Sequence, residues 1–452
     1  MATPNGTRTR VTKAPDPPSG APLAEIGATG LRYSGGMIDE EWLKPLQGDK
    51  ALKVYGEMEA DPIVGAMLWA ISSELRRVAW SVAPAGTDQQ AEVSADLIAS
   101  CFDDMSHTVE DTVSEALTMV PYGWALLETV LKVRRGMIPG RPGESSAYND
   151  GRIGWRKWPI RAQESRDRWE FDEAGGIAGM WQRIDSGDKA GEPVFIPIGR
   201  SLLFRVAAHK GNPEGRSALR SAYLAWYPRR RLQEFEAIGA EKDLVGIPKI
   251  GVPGDWLTSS ATSDQQAAVA AYRLIGEQAR RDEQACLIWP RVLDPNGHEL
   301  ITFELMASPG QGTNLGPIIE RYNVELLMTL MADIILIGHN SQGSYALARE
   351  KYRAFERSLE TFLASISSVI NRHAIPRLLQ VNNMPLDSAP RFAFASVEDT
   401  DLDVTGKFLG AMSAAGIPLG GNEQLERHLH DLAGWPWVPP DERAGAAGDI
   451  PD

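Results

Sequence analysis

"GNPEGRSALRSAYLAWYPRRRLQEFEAIGAEKDLVG", residues 211–246, decides how the rest of the chain is read. It opens on a cluster of turn formers, Gly211, Asn212, Pro213 and Gly215, and then continues as one long helical stretch. Pro228 stands inside that stretch. A proline has no N–H and its ring meets the carbonyl four residues earlier, so the sequence predicts a helix that is kinked or split there. Arg229, Arg230 and Arg231 follow directly. Such a run is most often a solvated helix face, and it is retained as a candidate polyanion or subunit contact.

Working outward, the period changes on the N-terminal side. "WALLETVLKV", "IGWRKWPI", "WEF", "IAGMWQRI", "VFIPI" and "SLLFRV", between residues 124 and 206, are short strand-like runs separated by turns such as "DEAGG" at 172–176. They predict antiparallel sheet within an α+β protein. Further upstream, Asp61 and Pro62 read as the cap and first residue of a helix whose stripe is Ile63, Met67, Ile71, Leu75 and Val78. Another helix is expected over 107–120, ending near Pro121 and Gly123. On the C-terminal side, "IPKIGVP", a helix at about 264–281, "ACLIWPRVL" and "LITFELM" read as a small α/β insertion. A second long helix is expected over 314–337. A third, with Tyr352, Phe355, Leu359, Phe362, Ile366, Val369 and Ile370 on one face, is expected to stop before Pro376. Residues 1–30 and 439–452 lack periodicity and read as flexible tails.

Composition narrows the functional classes. A formal net charge of −14 argues against an extended nucleic-acid-binding surface, so any DNA contact is expected to be local or transient. Two cysteines, Cys101 and Cys286, are too few for a disulfide framework or a cysteine metal cage. The N-terminus has no apolar signal-peptide core. The most apolar run, "LLMTLMADIILI" at 326–337, contains Asp333 and falls short of the roughly 20 residues a bilayer needs, so no membrane span is expected.

Candidate chemistry is thin. "LIGHNSQGSYALA", residues 336–348, resembles a lipase nucleophile elbow centred on Ser341, but that strained turn needs Gly two residues before and after the serine. Gly343 fits and His339 does not, and the loop follows a helix pattern rather than a strand. A helix-capping Gly/Ser turn is the better reading, with a serine hydrolase using Ser341 as the alternative. "DTDLDVTG", residues 399–406, has calcium-loop spacing at Asp399, Asp401 and Asp403, but Val404 and Gly410 occupy the positions that need Gly and Glu. It reads as a solvated acidic turn. His428 and His430 lack ligand partners and read as surface histidines, and no phosphate loop is present. No catalytic residue, cofactor or metal site is expected.

At "GNPEGRSALRSAYLAWY" the chain resembles the portal proteins of tailed bacteriophages, in particular the Mu-like group. "DPIVGAMLWAISSELRRVAWSVAPA", "YGWALLETV", "WEFDEAGGIAGMWQR", "EKDLVGIPKIGVP" and "GSYALAREKYRAFERSLETFLASISSVINRHAIPRLLQVN" agree in the family's order, spanning about residues 37–385. The resemblance implies a portal fold: a wing, a stem of two long helices, a clip between them, a tunnel loop with its helix, and a crown. By order along the chain it implies wing at 31–210, first stem helix at 211–246, clip at 247–312 and second stem helix at 313–337. The tunnel loop then falls at 338–346, the tunnel or wing helix at 347–376, and wing or crown at 377–438.

The implied function is a ring of usually twelve subunits at one capsid vertex. Through it a terminase packages double-stranded DNA, and through it the DNA later leaves. The implied partners are other copies of the chain, the terminase large subunit, capsid and scaffold proteins, head–tail adaptors and the passing DNA, in a virion assembled in the host cytoplasm. Gly338, His339, Asn340, Ser341, Gln342, Gly343 and Ser344 become a flexible DNA guide: weak, exchangeable polar contacts around two glycines in place of a basic brake. Strands at 247–252 and 286–293 are expected to pair with a neighbouring subunit. A gene-transfer particle or prophage portal has the same sequence features. The remaining alternative is a non-ring scaffold or DNA-binding protein.

Overall fold

The computed structural model describes residues 27–185, 187, 190–245, 247–278, 297, 299, 301–306, 314–329, 345–397, 402–415, 426 and 429. A small hairpin, β1 (Tyr33–Ser34) and β2 (Met37–Ile38), precedes α1 (Asp49–Glu59) and α2 (Pro62–Arg76). Asp61 caps α2 as expected, its carboxylate accepting the Ile63 and Val64 amides at 3.0 and 3.3 Å. The buried stripe of α2 is Val64, Met67, Ile71 and Leu75, one position away from expectation at its start. After β3 (Trp80–Ala83) comes α3 (Gln89–Asp103), which the sequence reading did not single out, as it did not α1. The expected helix at 107–120 is two: α4 (Val109–Leu117), opened by a Thr108–Asp111 capping box, and α5 (Met119–Tyr122), closed by Gly123 at φ 92°.

The strand region matches its expected boundaries closely. It comprises β4 (Trp124–Glu128), β5 (Val130–Val133), β6 (Ile153–Lys157), β7 (Ile160–Arg161), β8 (Arg166–Phe171), β9 (Ile177–Gln182), β10 (Val194–Pro197) and β11 (Ser201–Arg205). The pairings are antiparallel throughout, in the orders β11-β4-β7, β10-β9-β8 and β5-β6. The turn at 172–176 is held by Asp172, whose carboxylate accepts the Ala174 and Gly176 amides.

α6 (Leu219–Val245) is one helix through Pro228 and is not split there. The carbonyl that Pro228 leaves without a donor belongs to Leu224, which is exposed, so water can take the lost bond. β12 (Ile247–Gly251), α7 (Ser263–Gln278) and β13 (Thr302–Met306) follow. β12 pairs with β13 of the same chain, Ile247 opposite Met306 and Gly251 opposite Thr302, so one edge of this ribbon is already satisfied internally. The expected strand at 286–293 lies outside the described residues.

α8 (Gly316–Thr329) is the described part of the second long helix and packs along α6. α9 (Tyr345–Val369) does not stop before Pro376. It passes through a π turn at Ile370–Ala374 into α10 (Ile375–Val381), and Pro376 sits in the first turn of α10, where a missing N–H costs nothing. β14 (Arg391–Phe394) then pairs with β3. α11 (Leu402–Ala414) occupies most of the expected acidic turn at 399–406; position 404, unsuited to a calcium loop, is helical.

Two cores hold these layers. β4 serves both, because successive strand side chains point to opposite faces. Ala125 and Leu127 join the main core with α1–α5, α8 and α9, while Trp124 and Leu126 join a second cluster with Ile38, Trp169, Met180 and Ile196. In the main core Phe102 contacts Trp155, Trp158 and Phe392, and Phe392 stacks on Trp80 at 4.6 Å, joining α3, β6 and the β3–β14 pair.

Candidate stem and subunit surface

α6 is launched by a tight junction. Gly123 and Gly215 lie against each other: a Cβ on Gly123 would come within 2.6 Å of the Glu214 carbonyl, and one on Gly215 within 2.5 Å of the Gly123 carbonyl. Both have positive φ, so only glycine fits either place. Ser217 fixes the first turn of α6, donating to the Pro121 carbonyl at 2.5 Å and accepting the Leu219 amide at 3.0 Å.

Beside this junction is a cavity of about 300 Å³ whose polar wall includes Glu40, Glu214, Arg166 and Arg220. Arg166 is buried, ion-paired to Asp49 at 2.9 Å and to Glu214 at 3.3 Å. Burial raises the Glu214 pKa against the opposing pull of Arg166 and of the Trp169 indole N–H. Burial also raises the Glu40 carboxyl, but Arg220 and the Trp42 and Leu43 amides more than offset it, and its pKa lies below the ordinary value. These ion pairs, with the Arg166 Nε left without a hydrogen bond, anchor the start of α6.

The three successive arginines separate in space. Arg229 has no free surface: its side chain is 2% exposed and ion-paired to Asp61, the cap of α2. Its other terminal nitrogen donates to Asn323 Oδ1 on α8 at 3.0 Å, and Asn323 in turn donates to Glu320 at 3.2 Å. Desolvation lowers the Arg229 pKa and Asp61 opposes that shift. A polyanion contact at Arg229 is therefore corrected: the guanidinium joins α2, α6 and α8 from inside. The signal was in the sequence, because Arg229 continues the buried stripe Leu219, Ala222 and Trp226 at helical spacing. A charge on such a stripe needs a buried partner.

Arg230 is half-exposed, pairing with Glu57 at 2.7 Å and lying 5.5 Å from the Trp226 ring. Arg231 lies 6.0 Å from both the Tyr227 and Phe235 rings and pairs with no carboxylate among the described residues. It sits in a stripe the sequence reading missed. Leu224, Tyr227, Phe235 and Ile238 are 64%, 46%, 55% and 46% exposed. With Arg231 they follow steps of three, four, four and three residues, one face of a helix. A helix that shows this much apolar surface on one side is shaped for a partner.

Residues 338–344, the expected DNA guide with Ser341, lie outside the described residues, as do His428 and His430. Among the described residues no cluster of His, Cys, Asp and Glu is arranged to hold a metal ion, and no helix is long and apolar enough to cross a membrane.

Solved structures resemble this chain. A solved structure described as "Neck of empty GTA particle computed with C6 symmetry" matches with a TM-score of 0.51 at 12% identity, over 86% of this chain and 94% of that one. An HK97 family phage portal protein from Corynebacterium diphtheriae matches at 0.43 and 10% identity, over 75% of this chain and 94% of that one. At such identities the likeness is one of fold. The sequence itself matches the model of the family described as "Portal protein of Mu bacteriophage" over residues 52–430, and the chain belongs to that portal family.

Proposed function

We propose that copies of this chain close into a ring at one vertex of a phage or gene-transfer capsid, and that double-stranded DNA passes through the ring during packaging and ejection. In this reading α6 and α8 are the stem helices, β12, α7 and β13 the clip, and residues 31–210 mainly wing. The terminase motor, head–tail adaptors, and capsid and scaffold proteins are its partners, and the virion is its location. Family membership supports the portal role. The observation that carries the ring is the uncovered face of α6, from Leu224 to Ile238, on a helix whose opposite side is already packed against α8, α1 and α5. Arg230 and Arg231 flank that face as subunit contacts, and 338–344 is the DNA guide. The portal family is structural rather than enzymatic, which supports a non-catalytic Ser341.

The test is the mass and symmetry of the purified protein. Twelve copies of the 49.4 kDa chain give about 593 kDa (12 × 49.4) with a central hole in averaged electron images. A closed ring of another number keeps the reading. A monomer at every concentration overturns it, and an esterase rate abolished by Ser341→Ala would establish the hydrolase instead.

A further inference from the structure

A second surface, far along the chain from the stem, carries an inference independent of the ring. Between α9 with its π turn and β14 lies an open groove of about 620 Å³, floored by Ala364 and Ser368 and walled by Asn371, Arg372, Arg391 and Phe394. Two of its polar side chains are already used. Asn371 both accepts the Phe392 amide and donates to the Phe392 carbonyl, and Ser367 donates to that same carbonyl, so two side chains of the helical wall cap the outer edge of β14. What the groove still offers is a small-residue floor, one aromatic edge and two exposed guanidiniums, neither paired with a carboxylate among the described residues. His373, next to Arg372, is held below its ordinary pKa by burial and by Arg377 and Arg372. On a chain of net charge −14 this is a local concentration of unneutralised positive charge.

A phosphate backbone would be met by these arginines but would leave the carbon floor unused. A short segment carrying both flat aromatic rings and carboxylates fits both halves. The chain contains one: "GWPWVPPDE", residues 434–442, outside the described residues. Trp435 and Trp437 supply the rings and Asp441 and Glu442 the charges. Pro436, Pro439 and Pro440 limit the conformations that docking would have to freeze out. Nineteen residues, 415–433, connect Ala414, the end of α11, to Gly434, and Glu426 and Leu429 among them are helical. We propose that the groove between α9 and β14 receives residues 434–442 of this chain, indoles on the Ala364–Ser368 floor and carboxylates on Arg372 and Arg391.

The experiment uses the full chain with Cys286→Ser, Ser368→Cys and Val438→Cys, and a short bis-maleimide cross-linker. Ala237→Cys on α6 replaces Ser368→Cys as the remote control. Rapid cross-linking at 368–438 but not at 237–438 is expected. Arg372→Glu with Arg391→Glu should slow it about tenfold, and adding Asp441→Arg with Glu442→Arg should restore it. Thermal unfolding of the charge-reversed variant checks that the fold is intact. Absence of the 368–438 cross-link, or a rate indifferent to charge reversal, overturns the proposal. So does slowing by added DNA oligonucleotides without any dependence on Asp441 and Glu442, which would assign the groove to phosphate.

Discussion

The two halves of α6 are built on opposite principles. From Leu219 to Arg229 one face of the helix is embedded while Leu224 and Tyr227 on the other stay exposed: Leu219, Ala222, Ala225 and Trp226 are in the main core, and Arg229 is buried with its charge answered by Asp61. From Arg230 to Ala240 no residue is fully buried, yet Phe235 and Ile238 are apolar and exposed. Pro228 and Arg229 mark the change. The comparison teaches that one helix can be core along part of its length and carry an uncovered apolar face along the rest. A lone proline is tolerated where the two regimes meet, because the orphaned carbonyl falls on the wet side.

The sharpest way to break the embedded half is to remove Asp61. Asp61→Ala takes away the cap of α2 and leaves a buried guanidinium without its counter-charge. Such losses cost roughly 3–5 kcal/mol, and urea unfolding of the purified chain should show a destabilisation of that order. Replacing the pair together, Asp61→Ser with Arg229→Met, keeps a cap and removes the charge, and should recover most of the loss. If the single and double changes unfold alike, Arg229 is not the reason Asp61 matters.

The launch of α6 gives the next effect. Gly123→Ala sets a methyl 2.6 Å from the Glu214 carbonyl and demands φ 92° of an L-residue, so the turn must move. A cost of about 1–3 kcal/mol is expected from the strained backbone alone, read as a lower unfolding midpoint. Gly140→Ala has the same positive φ but open space around it, and should cost less.

Glu214 gives a pH-dependent effect. Its folded pKa is raised, so its favourable contribution is complete below the unfolded pKa near 4.5 and is lost as pH rises through the folded value. Glu214→Gln should therefore raise the melting temperature at pH 7 and change it little at pH 4. A variant destabilised more at pH 7 than at pH 4 would mean that the Arg166 pair outweighs the desolvation.

Much of this was legible in the sequence, for identifiable reasons. The strands of 124–206 announced themselves by alternation and turn residues, and Asp61–Pro62 by cap chemistry, because these signals are local. α3 is faint in the sequence although Asp88 caps it, because four of its seven buried residues, Ala91, Ser94, Ala95 and Cys101, are small. Pro376 misled because a π turn, which has no composition signature, had already reset the hydrogen-bond ladder. Arg229 misled because three adjacent arginines invite one explanation, whereas a helix turns by about 100° per residue and sends each to a different environment. The groove between α9 and β14 joins side chains that are distant in sequence, Arg372 with Arg391 and Ala364 with Phe394, and no local pattern encodes it.

The smallest expected change in stability sharpens the comparison most. Phe235→Glu with Ile238→Glu places charges where the isolated chain already meets water. Unfolding of the dissociated chain should move by no more than about 0.5 kcal/mol. The same double change should abolish the ring, since each carboxylate would be driven against the surface of the next copy without a partner. Charge alone is not the cause if Arg231→Glu, on the same stripe, is tolerated where Phe235→Glu is not. In that case apolar contact carries the interface and Arg231 only borders it. If all three variants still form rings, the exposed face of α6 belongs to some other partner, and the two halves differ in burial without differing in role.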